Sequence, residues 1–240
     1  MSTFAVGNTV QATQVIPILN VETKEQSNSD SQPQPDWGPV HDGDHVPGGI
    51  RDGCAETEYS FTALIPVGVN WSLTTQAHPT FWFYVPYGAS EVVSASLILE
   101  EKSNDIYHTL PVTLPKQAGF VSLTIPSTTT ALVEDINYNW TFELYCSEES
   151  ITPLFVHGWV KFSSASQSLS PDYQTYLDHR IWLDAVNELA SQRIQKPENL
   201  ALVEEWQRLL QDGGIDTDTL PVGPILGAGI VSGPVSTESL

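Results

Sequence analysis

Tyr138-Asn139-Trp140-Thr141-Phe142-Glu143-Leu144-Tyr145-Cys146 decides the fold class. Tyr138, Trp140, Phe142, Leu144 and Cys146 share one parity, and Asn139, Thr141, Glu143 and Tyr145 share the other. A period of two held over nine residues is that of a strand with one face buried. Outward from it, short apolar segments recur between Pro and Gly. They predict strands at Tyr59–Val69, Thr80–Pro86, Glu91–Glu101, Asp105–Val112, Gly119–Ile125 and Leu154–Phe162 as well. Seven such strands between residues 54 and 162 predict a mainly β chain, an antiparallel Ig-like β-sandwich, and not a parallel sheet with crossover helices. Leu132 lies six residues before Tyr138, the spacing of a tyrosine corner, in which the phenol reaches the backbone of the preceding connection.

The period changes after this domain. Ser170-Pro171-Asp172 reads as an N-cap, a proline at the first helical position and an acid in the first turn. Leu177, Ile181, Ala185 and Leu189 then repeat every four residues, flanked by Trp182, Val186 and Ala190. Pro197 opens a second helix with the stripe Leu202, Val203, Trp206, Leu209 and Leu210, and Gly213-Gly214 ends it. This predicts a helical hairpin over 170–212, which docks on the sandwich or on a partner protein. Residues 1–53 carry a Ser/Gln/Pro/Asp stretch and almost no periodicity, so they are expected to be disordered. The Gly/Pro-rich tail 213–240, with nine Gly or Pro in 28 residues, is expected to be disordered too.

Charge excludes whole classes of partner. The 240 residues carry 29 acids against 9 bases, a net charge of -20, which repels phosphate backbones and anionic lipid heads. No nucleic acid is expected, and no run approaches the roughly 18 apolar residues of a membrane span. No lysine follows a glycine, so a phosphate-cradling Gly-Lys-Ser/Thr loop is absent, as are Gly-x-Ser-x-Gly, His-Glu-x-x-His and Cys-x-x-Cys. The first 20 residues show no secretory signal. The location is therefore read as periplasmic or extracellular if a signal peptide is missing from the sequence as written, and as cytoplasmic otherwise.

The candidates for chemistry are few. Phe81-Trp82-Phe83-Tyr84-Val85-Pro86-Tyr87 is aromatic on both faces of a strand. Trp82, Tyr84 and Tyr87, with Trp71, form an exposed binding platform for a sugar or peptide, or else a second layer covers them; buried aromatics greatly outnumber platforms. Cys54 and Cys146 either form a disulfide, closing a loop of about 93 residues, or remain two buried thiols. The disulfide reading implies an oxidising compartment. His41-Asp42-Gly43-Asp44-His45 collects metal-ligand types in a segment expected to lack fixed geometry, and Asp212, Asp216 and Asp218 miss the calcium-loop spacing, so no metal is expected. Glu100/Glu101, Glu134/Asp135 and Glu148/Glu149 are sequence neighbours, which a strand points to opposite faces. His157 reads as a structural histidine before it reads as a base.

Gly48-Gly49-Ile50-Arg51-Asp52-Gly53-Cys54, Leu64-Ile65-Pro66 and Ala77-His78-Pro79-Thr80-Phe81-Trp82-Phe83-Tyr84-Val85-Pro86-Tyr87 together resemble the cyanobacterial family known as domain of unknown function 928. Phe155-Val156-His157-Gly158-Trp159 and Ile181-Trp182-Leu183-Asp184-Ala185 continue the pattern, which spans about residues 48–215. The resemblance implies a β-rich domain followed by a helical segment, usually in exported proteins, with no catalytic residues to carry over. It favours the disulfide. The expectation is a non-catalytic binding or scaffold protein of the cyanobacterial envelope, without cofactor, whose partner is an unknown protein or glycan. The alternatives are a hydrolase with a dispersed acid/base site at His157, and a cytoplasmic interaction adaptor with free thiols.

Overall fold

The computed structural model describes residues 1, 53–101, 106–164, 168–221 and 225–233. The disorder expected over 1–53 falls outside these residues, apart from Met1 and Gly53, and so does the His41–His45 cluster. Every element below belongs to the compact unit Pro33–Leu240.

The chain is mainly β. Ten strands, β1 (Thr62–Ala63), β2 (Trp71–Thr74), β3 (Thr80–Val85), β4 (Ser94–Glu101), β5 (Ile106–Thr113), β6 (Gly119–Thr124), β7 (Asn137–Tyr145), β8 (Leu154–Phe162), β9 (Ile225–Ala228) and β10 (Ile230–Val231), form two sheets. One has the order β1-β3-β6-β9 and the other β10-β5-β4-β7-β8-β2. The antiparallel expectation is corrected at two edges. There β2 runs parallel to β8 and β9 parallel to β6, so both sheets are mixed. Each parallel pair joins strands far apart in the chain, β2 with β8 and β6 with β9, which a strand-after-strand reading of the sequence does not supply.

The parity of the Tyr138–Cys146 stretch sets the core. Trp140 and Phe142 of β7 are fully buried and meet Phe81 and Phe83 of β3, with ring centroids 4.7–5.7 Å apart, so inner faces of the two sheets interlock through aromatic pairs. The phenol of Tyr138 accepts a hydrogen bond from the Val133 N–H at 3.0 Å and donates to Glu101 Oε2 at 3.4 Å, which fixes the connection entering β7 as the spacing from Leu132 anticipates.

The helical stretch holds three helices, α1 (Tyr173–Asp178), α2 (Trp182–Gln195) and α3 (Leu200–Asp212), not two. Asp172 and not Ser170 caps α1, accepting from the Thr175 N–H and hydroxyl. Arg180 takes a left-handed φ of 61°, and the Ile181 and Arg180 N–H groups bond back to Tyr176 and Leu177 carbonyls, while Tyr176 and Ile181 pack together. This is a Schellman stop with arginine in the place of the usual glycine, and so it breaks a stripe that reads as continuous. Asn199, two residues after Pro197, caps α3. Gly214, at φ 73°, closes it, as Gly213-Gly214 foretells. The tail is a further correction. A 3-10 turn (Thr217–Thr219), β9 and β10 lie in it, because the short stretches Ile225-Leu226 and Ile230-Val231 find open strand edges at β6 and β5.

Candidate functional site

Trp82, Tyr84 and Tyr87 do not form an exposed platform. They are 3%, 5% and 1% exposed. The helices cover Trp82: its Nε1 donates to Asn187 Oδ1 on α2 at 3.1 Å and its ring meets Trp206 of α3. Tyr84 stacks edge-on between Tyr59 and Phe120, and the Tyr87 hydroxyl donates to the Ala55 carbonyl. The second-layer reading therefore describes this face. The cover is clamped as well as packed, since Trp182 Nε1 donates to the Leu64 carbonyl at 2.7 Å and the Asp184 carboxylate accepts from both the N–H and hydroxyl of Thr75. Trp71 lies elsewhere, on β2 beside Trp159, and is itself buried.

Cys54 and Cys146 are joined, with their Cα atoms 4.9 Å apart. The bond ties the segment entering β1 to the end of β7. Gly53 beside it has φ 79° and lies so close to Ser147 and Ser150 that a Cβ there would fall 2.7–2.8 Å from their side chains. At this end of the molecule β4 and β8 begin and β3, β5 and β7 finish, which gathers the connecting segments 53–60, 88–93, 114–118 and 146–153. The Val93 N–H reaches the Tyr145 carbonyl, the Ala89 N–H reaches that of Pro115, and Glu91 Oε2 accepts from the Gly88 N–H.

Where segments 88–93 and 114–118 meet the ends of β4 and β5, Val92, Val93, Ser94, Val112, Thr113 and Leu114 line an open cavity of about 220 Å³. Val93 is 53% exposed at its mouth. Ile151 in the β7–β8 turn and Ile230, opposite Thr113, are 91% and 65% exposed at the same end. The segments hold five acids, Glu56, Glu58, Glu91, Glu148 and Glu149, and one base, Lys116. The negative field is visible locally, for the charge of Glu58 holds the Tyr59 phenol above its ordinary pKa. The cavity is lined by aliphatic side chains together with the hydroxyl-bearing Ser94 and Thr113, and the carboxylates lie in the segments at the same end. The sequence reading did not point here because Val92 and Val93 read as the start of a strand that in fact begins at Ser94, while Glu148/Glu149 lie exposed in a turn, as read.

The catalytic alternative can be placed too. His157 pairs across β8–β7 with Thr141, and Glu143, one pair along the same outer face, sits opposite Phe155. Burial raises the Glu143 carboxyl above its ordinary pKa. Phe155 and His157 rings lie 5.9 Å apart on a sheet face, and neither His157 nor Glu143 lines the cavity. Among the described residues no group of three or more His, Cys, Asp or Glu is placed to hold a metal ion, and no helix is long and apolar enough to cross a membrane.

Residues 46–220 match the family described as Domain of Unknown Function (DUF928). No curated protein matches the chain.

Proposed function

The chain belongs to this DUF928 family, and on that premise we propose that it is a non-catalytic binding or scaffold protein of the cyanobacterial cell envelope, acting through its disulfide-tied end. The observation that carries this reading is the cavity of about 220 Å³ with exposed Val93 at its mouth, at the end of the molecule that holds exposed Ile151 and the Cys54–Cys146 bond. Apolar side chains left exposed around a concavity mark contact surfaces; the loop that presents Val93 is hydrogen-bonded to the Tyr145 carbonyl, next to the disulfide-tied Cys146. The same bond supports an exported location, since such bonds persist in oxidising compartments. We also read the two packed sheets as an Ig-like variant, with the Tyr138–Val133 contact in support.

The test is a ¹⁵N-labelled protein titrated separately with cell-wall glycan fragments and with solubilised envelope proteins. Amides of Val93, Ser94, Leu114 and Ile151 are expected to shift with one of the two. The reading fails if no envelope component perturbs them, or if the protein hydrolyses ester, glycoside or peptide substrates and His157→Ala abolishes the turnover.

A further inference from the structure

We infer that the disulfide-tied end docks a basic protein segment that presents one large apolar side chain, which enters the cavity; this rests on reading that end as the binding site. Six large apolar side chains besides Met1 stand exposed among the described residues, and three of them, Ile230, Val93 and Ile151, share this end. The other three, Val133, Ile194 and Leu200, are scattered over a loop and two helices. The order of the six-stranded sheet sets the three in sequence. Ile230 opposes Thr113 of β5, Val93 precedes β4, and Ile151 lies in the turn joining β7 to β8. The cavity opens between the first two. At about 220 Å³ it exceeds the roughly 150 Å³ void that admits a benzene ring, so one ring or branched aliphatic side chain fits.

Charge selects among the occupants. The five-to-one excess of carboxylates in the surrounding segments, on a chain of net charge -20, attracts a cationic segment. It repels an anionic membrane, and it repels a second copy, whose matching end would bring the same carboxylates into contact. Sugars stack on aromatic faces, whereas the exposed apolar side chains here are aliphatic. A lysine- or arginine-flanked protein anchor satisfies both the cavity and the negative charge of this end.

The experiment titrates the full ¹⁵N-labelled chain with the peptide acetyl-Lys-Lys-Phe-Lys-Lys-amide. Amides of Val93, Val112, Thr113 and Leu114 are expected to shift. Replacing the central Phe by Ser is expected to weaken binding about tenfold or more, as the loss of one buried ring requires. Raising the ionic strength to about 1 M, where the screening length is about 3 Å, is expected to weaken it comparably. The exposed quadruple variant Glu56→Gln, Glu58→Gln, Glu148→Gln, Glu149→Gln keeps its melting temperature and loses that salt dependence. The proposal is overturned if the Glu-flanked peptide binds equally well, or if the Lys-flanked peptide shifts nothing. Benzene separates the two failures: if it shifts the cavity amides and the basic peptide does not, the partner assignment falls and the binding end stands, whereas silence from both probes removes both.

Discussion

Breaking the Cys54–Cys146 bond, by reduction or by the double substitution Cys54→Ser/Cys146→Ser, is expected to lower the melting temperature by roughly 10 to 20 °C. The separation is 92 residues, so the bond closes a loop of 93. On the chain-entropy relation that loop removes about 16 cal/mol/K from the unfolded ensemble, or between about 4 and 5 kcal/mol at 25 °C. For a domain of this size each kcal/mol moves the midpoint by about 2–4 °C. A loss of that size is a large share of the roughly 5–15 kcal/mol that holds a domain together. The structure also says where the loss appears first. Residues 54–60 are held by the bond and by the Tyr87 hydroxyl on the Ala55 carbonyl, so faster amide exchange is expected there and in 146–153 before β7 itself is affected. Calorimetry with and without reductant, alongside the double variant, reads the midpoint, and hydrogen exchange reads the location. A fall of less than about 3 °C refutes the reasoning, for the surrounding contacts would then hold both segments without the bond. A count of free thiols in protein taken from its native cell under acid quench completes the test. Two free thiols there remove the case for export, whatever the purified protein does.

Trp82→Ala is expected to cost about 3–5 kcal/mol, since it empties the space beneath α3 and leaves Asn187 without its indole donor, while the basic-peptide shifts at the cavity persist; a stable variant with lost binding would reverse the assignment of the two faces. Asp184→Ala removes the carboxylate that accepts from the Thr75 N–H and hydroxyl and is expected to cost roughly 1.5–3 kcal/mol by chemical denaturation, with Asp184→Asn recovering part of it. Tyr84, Tyr138 and Tyr176 all have phenol pKa values raised, first by burial. The folded state therefore holds these protons more tightly than the unfolded one. Their contribution is complete below about pH 10 and is lost as pH rises through the folded values, so denaturant midpoints should fall only above that pH. Glu143, raised by burial, has the same sign in a lower window: its contribution is present at acid pH and lost as pH rises through its folded value. Glu143→Gln should accordingly raise the melting temperature at neutral pH and not in acid, and an equal effect at both would assign the change to packing.

The sequence announces those elements whose side chains carry a period. Tyr138–Cys146 does so without ambiguity because β7 lies between two neighbours, with one face in the core and the other against solvent, so each parity has one environment. The stretch Phe81–Val85 is harder. Both parities of β3 are buried, one by the opposite sheet and one by helices that follow about 100 residues later, and no local pattern says which aromatic faces which layer. Trp71–Thr74 was illegible for another reason. β2 takes its place through the parallel register of Trp71 with Trp159, a contact set by tertiary packing and not by anything in Trp-Ser-Leu-Thr. The stop at Arg180 is the third kind. Its backbone bonds are those of a glycine terminator, but the residue identity hides them, and the Tyr176–Ile181 contact helps to offset the strain.

The aromatic strand and the candidate site answer to one consideration, which is how this chain disposes of apolar surface. On the four-stranded sheet the disposal is internal. Trp82, Phe120 and Trp206 join ring to ring, and three directional hydrogen bonds, from Trp82 to Asn187, from Trp182 to Leu64 and from Thr75 to Asp184, fix the helices in place. Those clamps would serve no purpose if a partner were to displace the helices, since each would leave a buried polar group unpaired. At the strand ends the disposal is incomplete. Val93 and Ile151 stay exposed, and the loop that holds Ile151 begins at the disulfide-bonded Cys146. The contrast between an aromatic face buried so thoroughly and a smaller aliphatic one left open, at an end rich in carboxylates, is what supports the proposal that partners meet the open end.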